Sequence, residues 1–542
     1  MPHRAHLFSI RIACALRECL NEHYTRQVFF KDLLAGITVG IIAIPLAMAL
    51  AISSGVAPQY GLYTAAIAGF IIALTGGSRY TVCGPTAAFV VILAPIAHQF
   101  GLAGLLVASW MAGFILILMA LARLGRFIEY IPESVTLGFT AGIGIVIATL
   151  QIKDFFGLPI EAMPELYVDK IFALSHAFSS LSIANTVVGL STLAVLMAWP
   201  RLKLFVPGHI PAILIGLMVA ALFTHAGYSV DTIGSRFENG IPAFFPSFAW
   251  PWDNPGAHGE PIIWSWGTIR QLLPEALSIA MLGAIESLLC AVVLDNMSGK
   301  RHSANSELLG LGLGNVIAPF FGGFGATAAI ARSAANFRAG AQTPIASAIH
   351  AIVVLLSILL FARWLNYLPM ASMAALLLMV AWNIAEVHRI KHIIKTAPWG
   401  DIIVLFVCLS LTVLFDMVLA ISVGIVLASL IFVREIAAMT KLHEVSTAHY
   451  KINGPLFFAA ADRIFSELTV LVAHYPLVRL SFEGVSILDA GGISSLTKFI
   501  GYCQHNQKQL TICEVPFPVL KRLVKAHIEP IPGVLEFQHE CR

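Results

Sequence analysis

Two short stretches place the same small residues at the head of an apolar run: GPTAAFVVI at 84–92 and GATAAIARS at 325–333. Each follows a Gly-rich break, GGSRYTVC before the first and FFGGF before the second. A helix that starts inside an apolar medium leaves its first N–H groups without intrahelical acceptors. Two such starts meeting from opposite sides make a small pocket of donors at positive dipole ends, which suits an anion. The candidate substrate-binding set is therefore Thr86, Ala87 and Ala88 in the first copy and Thr327, Ala328, Ala329, Ile330 and Arg332 in the second. The alanines let a ligand approach the backbone. One acid belongs with them: Glu286, in PEALSIAMLGAIESLLCAVVLD (274–295), lies well inside an apolar helix. Ionisable groups in such places mark proton or ion pathways, so Glu286 is the candidate for proton coupling. An ion pair with Arg332 that merely pins two helices is the competing role. Gly and Ala clusters are also common packing surfaces between membrane helices; duplication behind two Gly-rich breaks favours a substrate site.

These residues need helices that stop and restart within a membrane. The composition supplies one, because only 12% of the 542 residues are charged and 58% are hydrophobic, whereas about a quarter of an average soluble domain is charged. Runs such as LLAGITVGIIAIPLAMALAIS (33–53) reach the roughly 20 residues that cross a bilayer. The pattern predicts an α-helical polytopic membrane protein. Spans are expected near 33–53, 60–75, 86–99, 102–122, 132–151, 183–199 and 209–226, then near 271–294, 306–320, 327–340, 344–361, 368–383, 401–415 and 417–434. Asp416, in the middle of the last long run, argues for a tight hairpin between two short helices. A polar Trp- and Pro-rich stretch, 245–266, separates the halves as an interfacial loop. Seven spans per half make the second half inverted, the arrangement of many secondary transporters, whose sites lie where broken helices meet. A shift of 241 positions overlays the two motifs (325 − 84 = 241) and brings Pro45 onto Glu286.

Other classes find little support. A net charge of +3 is too small to point to nucleic acid, and the eight cysteines show no disulfide framework or zinc spacing. No metal cluster, nucleophile–base arrangement or cofactor-binding loop is present, and His98, His209 and His350 are scattered. Residues 1–32 carry Arg4, Arg11, Arg17, Arg26 and Lys31 without a cleavage site, which predicts a cytosolic N-terminal segment.

The stretches 36–65, 283–323 and 330–345, with GPTAAFVVI, resemble the sulfate permease (SulP) family of anion transporters, and within it the bacterial dicarboxylate carriers. The resemblance runs from about residue 25 to the C-terminus. It implies fourteen spans as a seven-plus-seven inverted repeat, divided into core and gate parts of a transmembrane domain (33–434; repeats near 33–226 and 271–434), and elevator-like movement. Carried over by position, Thr86 and Ala87 match the anion-contacting start of the third span, and Ala329 and Ile330 its counterpart on the tenth, followed by Arg332. Glu286 matches an acidic position that holds sodium in some members and is linked to protons in others. Cys290 stands where a sodium-dependent relative has a hydroxyl, and sulfur is a poor ligand for a hard cation, so protons are favoured. Leu46, Leu50 and Ile330 replace polar or aromatic residues common in relatives. That suits an organic acid with a carbon backbone, such as succinate, fumarate or aspartate, although the same residues could be packing. Sulfate or bicarbonate transport, and an uncoupled exchanger or channel, remain alternatives.

From about 443 strand-like and helical runs alternate, the pattern of a small α/β domain. By the same resemblance, 443–542 is a cytosolic STAS domain; its helix start after Asp489 suits an anion or a protein partner, and support of folding or dimer formation is the competing role. The matching stretch Asp489-Ala490-Gly491-Gly492 lacks the serine that related regulatory domains phosphorylate. The family further implies a homodimer in the bacterial inner membrane with both termini in the cytoplasm.

Overall fold

The structure, a computed structural model, describes residues 10–540 other than 23, 126–130, 161, 162, 165, 203–206, 238, 239, 258, 264 and 416, and not the side chains of 417 and 418. Arg4 and the hairpin residue Asp416 lie outside the described residues. The chain divides into two compact units, Met1–Gly424 and Ile425–Arg542.

Eight described helices are long and apolar enough to cross a bilayer unaided. Shorter or interrupted ones complete the fourteen spans. The first, Arg26–Ser53, starts at Thr25, whose hydroxyl accepts the Val28 N–H. The second runs through Pro58–Tyr63, a π-helical turn at Thr64–Ala68, and Gly69–Thr75. The third and fourth are one helix, Ala87–Leu121, broken at Gly101 with φ 69° and ψ −168°. Only glycine adopts that backbone freely, and a Cβ there would stand 2.2 Å from the Gly256 carbonyl carbon. Glu133–Phe156, Ile183–Ala198 and His209–His225 complete the first seven.

The second set comprises Trp266–Ser298, Ala304–Ile317 with a 3-10 turn Ala318–Phe321, Ile330–Arg338, Pro344–Leu365, Met370–Ile384, Trp399–Leu414 and Met417–Met439. The tenth span is short and starts three residues later than the expected 327. Those residues form a strand instead: β1 (Cys83–Gly84) pairs antiparallel with β2 (Thr327–Ala328) between the broken helices. Two short helices outside the spans, Tyr167–Ala177 and Val387–Thr396, were also unexpected. The second is basic on one face and apolar on the other, so it gives no long apolar run to read.

Small residues set the packing. The first span lies on the eleventh because Gly36 and Gly40 have no side chains; added Cβ atoms would come within 2.6 Å of Ala346 O and 2.7 Å of Val353 Cγ1. The fifth span packs on the twelfth and thirteenth, and the twelfth on the sixth. Contacts five–thirteen and twelve–six exchange under a shift of seven spans, as an inverted repeat requires.

In the second unit five strands lie in chain order: β3 (Lys441–Ser446), β4 (His449–Asn453), β5 (Leu477–Gly484), β6 (Gln509–Cys513) and β7 (Leu535–Gln538). The first pair is antiparallel and the rest parallel. Helices Ala461–Leu471, Ala490–His505 and Phe517–Lys525 cover a core that includes Ile452, Phe482, Leu496 and Ile512.

Candidate functional site

The two broken helices meet at the β1–β2 pair, in which Cys83 faces Ala328 and Gly84 faces Thr327, with Ala329 N–H donating to Val82 O at 3.1 Å. This short ladder satisfies backbone groups that a helix break inside an apolar bundle would otherwise orphan. Past it the chain turns directly into helix on both sides. Thr86 is the N-cap of the third span and Ala329 that of the tenth, and neither side chain caps its own helix. Both starts therefore keep N–H groups for another acceptor.

Thr86 spends its hydroxyl elsewhere, donating to Glu286 Oε2 at 2.8 Å. That bond ties the start of the third span to the eighth and brings together the two residues singled out by sequence. Arg332 is buried on the third residue of the tenth span; its Nη2 donates to Pro85 O at 2.6 Å and its Nη1 has no partner. The pinning ion pair with Glu286 is not formed among the described residues; one arm of the guanidinium holds the backbone just before Thr86 instead. Gly84 makes this possible, since a Cβ there would lie 3.0 Å from Arg332 Nη1 and 3.3 Å from Ala65 Cα.

The two helix starts differ in access. Ala87 and Ala88 are 3% and 4% exposed, whereas Ile330 is 39% exposed. Thr327 lies fully buried in β2, three residues before the tenth span begins, and its hydroxyl donates to Gly283 O at 3.0 Å. Ala328, also buried, is its strand neighbour. The caps lie 243 positions apart (329 − 86 = 243), not 241, so the counterpart of Thr86 is Ala329. Cys290, one turn beyond Glu286, is fully buried.

Two buried carboxylates that the sequence reading passed over hold the breaks in place. Glu307 accepts N–H groups from Gly77 and Ser78 at 2.9 Å, and hydroxyls from Thr81 at 3.2 Å and Ser287 at 3.3 Å. Asp32 accepts the Gln342 and Thr343 N–H groups at 2.7 and 3.1 Å and the Thr343 hydroxyl at 2.6 Å, fixing the turn after the tenth span. Each is an acid at the head of an apolar run, the one signal that was available.

In the second unit Asp489 caps Ala490–His505, accepting from Gly492 N–H at 2.7 Å and from Phe458 N–H at 3.1 Å.

Residues 29–407 match the Sulfate permease family and residues 438–539 the STAS domain. The chain is 40% identical over 465 residues, 84% of its length and 85% of the relative's, to the putative sulfate transporter YvdB of Bacillus subtilis. It is 28% identical to the bicarbonate transporter BicA of Picosynechococcus, covering 82% of each. The solved transmembrane domain of a cyanobacterial BicA superposes with a TM-score of 0.63 at 27% identity, covering 75% of this chain and 98% of that one. Murine Slc26a9 in its inward-facing state gives 0.81 at 19% identity, covering 97% and 91%, which is a likeness of fold. YvdB is named for sulfate and BicA for bicarbonate, so the narrower resemblance to dicarboxylate carriers stays an expectation. The chain is a multi-pass membrane anion transporter, not an enzyme, and belongs to the sulfate permease family with a C-terminal STAS domain.

Proposed function

We propose that this transporter is a proton-coupled carrier of four-carbon dicarboxylates, binding the anion between the starts of the third and tenth spans and exposing it by elevator-like movement. Thr86, Ala87, Ala88, Ala329, Ile330 and Arg332 surround the anion, and Glu286 carries the proton. The observation that carries this reading is the Thr86–Glu286 hydrogen bond, which places a titratable group beside an uncapped helix start. Protonation there removes a negative charge next to the anion, so proton and anion bind cooperatively. The half-exposed Ile330 gives the open side an apolar surface suited to a carbon chain. Sulfate is the second reading, favoured by the name of the 40%-identical relative. The protein works as a homodimer in the bacterial inner membrane, with cytoplasmic termini and a protein partner at the STAS domain.

The test is uptake into liposomes of labelled succinate, fumarate, aspartate, sulfate and bicarbonate, with and without an imposed pH gradient. Gradient-driven accumulation of succinate supports the proposal, accumulation of sulfate alone moves the substrate, and flux without accumulation makes the protein an uncoupled exchanger. Glu286→Gln should retain counterflow yet lose gradient-driven accumulation; wild-type accumulation in that variant removes the proton role from Glu286.

A further inference from the structure

Glu307 is fully buried in the ninth span, and four groups donate to its carboxylate. Oε2 takes the backbone N–H groups of Gly77 and Ser78; Oε1 takes the hydroxyls of Thr81 and Ser287. The first three belong to the break between the second and third spans. The fourth, Ser287, is the residue after Glu286 on the eighth span. One side chain therefore joins the segment leading into Thr86 to the segment carrying Glu286, the two ends of the Thr86–Glu286 bond.

The surroundings leave it no slack. A Cβ on Gly77 would meet Ser303 O at 2.3 Å, one on Gly76 would meet Glu307 Oε2 at 2.9 Å, and one on Gly310 would meet Gly76 Cα at 2.6 Å. The break presses backbone to backbone against the ninth span with Glu307 at the centre of the contact. The matching break in the second half is held by neutral groups. Thr64, in the π-helical turn of the second span, accepts the Phe324 N–H at 2.9 Å, and Asn315 both accepts from Ala326 N–H and donates to Ala326 O. Among the described residues, the break before the third span is fastened by a carboxylate, and the one before the tenth by these neutral groups.

We infer that Glu307 is a positioning residue for anion binding: it sets the start of the third span against Glu286 by clamping Gly77, Ser78 and Thr81 to Ser287. The inference rests on the proposed site between the third and tenth spans. A carboxylate bound from four sides holds a position that a single neutral hydrogen bond would let drift. Misplacing Thr86 frees Glu286 to turn toward the helix start and compete with the anion for its N–H groups.

The test uses the full-length protein, with equilibrium binding of labelled sulfate and labelled succinate, liposome KM and Vmax, and unfolding temperature. Glu307→Gln keeps the shape and one acceptor oxygen but loses the charge, and should weaken anion binding about tenfold, the scale of a hydrogen bond to a charged group. KM should rise with the dissociation constant while Vmax stays within about twofold, because the loss is in binding the anion and not in the movement that follows. Ser287→Ala cuts only the link to the eighth span and should raise KM by a few fold, which keeps the test alive if Glu307→Gln fails to fold. In the Thr86→Val background the effect of Glu307→Gln should shrink, because both act on one contact. Lower unfolding temperature and Vmax with unchanged KM, or strictly additive effects, would overturn the positioning role. If Thr86→Val itself leaves binding unchanged, the site reading fails; if Thr86→Val weakens binding while Glu307→Gln and Ser287→Ala do not, only this inference fails.

Discussion

Thr86 and Thr327 occupy the same place in the repeated motif, and the structure gives them different work. Replacing each by valine, which keeps the shape and removes the hydroxyl, separates the two. In Thr86→Val the buried Glu286 carboxylate loses its donor at 2.8 Å. A hydrogen bond to a charged group is worth about 1.5–3 kcal/mol. With a factor of ten for each ~1.4 kcal/mol, anion affinity should fall roughly tenfold to a hundredfold as Glu286 turns to the helix-start donors. In Thr327→Val the neutral Gly283 carbonyl loses a donor at 3.0 Å, which costs about 1 kcal/mol of stability and leaves affinity unchanged. Binding of labelled anion to the two purified variants, with their unfolding temperatures, makes the comparison. Equal losses of affinity would restore the 241-residue register and refute the assignment of Ala329 as the partner of Thr86. Unchanged affinity in Thr86→Val would refute the site.

Gly84→Ala inserts a methyl 3.0 Å from Arg332 Nη1 and 3.3 Å from Ala65 Cα; overpacking of this kind costs about 1–3 kcal/mol, so uptake should be lost in a protein that still folds, checked by flux and melting together. Asp489→Ala removes the cap that accepts from Gly492, so hydrogen-exchange protection across 490–505 should fall by about 1 kcal/mol while transport by the full chain is unchanged. Glu22, on the N-terminal segment, is held down to about 2 from its ordinary 4.5 chiefly by hydrogen bonds from Arg79, both oxygens accepting at 2.6 Å. A lowered carboxyl value stabilises above the unfolded value and is lost as pH falls toward the folded one. Glu22→Gln should therefore lower the unfolding temperature equally at pH 6 and 8, and by less as pH drops from 4.5 toward 2. The pair is half exposed, so the effect at neutral pH should be small, about 0.5 kcal/mol.

The sequence made the broken helices legible because a break within an apolar run needs Gly and small residues, and those stood at 76–77 and 322–325 in plain view. Glu286 was legible because it is the one charge in the apolar run 276–294. The register was not. GPTAAF and GATAAI align without a gap and share four of six residues, but strand pairing uses Cys83-Gly84 on one side and Thr327-Ala328 on the other. Backbone hydrogen bonds carry that choice, and side-chain identity does not record it. Arg332, whose competing role was an ion pair with Glu286, holds Pro85 O, a backbone partner 247 residues away that no local pattern announces. Glu307 and Asp32 went unread because their partners, the break at 77–81 and the turn at 342–343, are brought to them only by folding. The fold of the STAS unit followed from alternating runs, and the loss of its phosphorylatable serine from one tetrapeptide.

The central claim is that an anion sits at the paired helix starts. Anomalous scattering from crystals grown with selenate, and separately with bromosuccinate, locates a bound dianion directly. One peak is expected within hydrogen-bonding reach, about 3 Å, of the first N–H groups of the helices beginning at Ala87 and Ile330. A peak elsewhere in the membrane unit, with those N–H groups left to solvent or to Glu286, would contradict it.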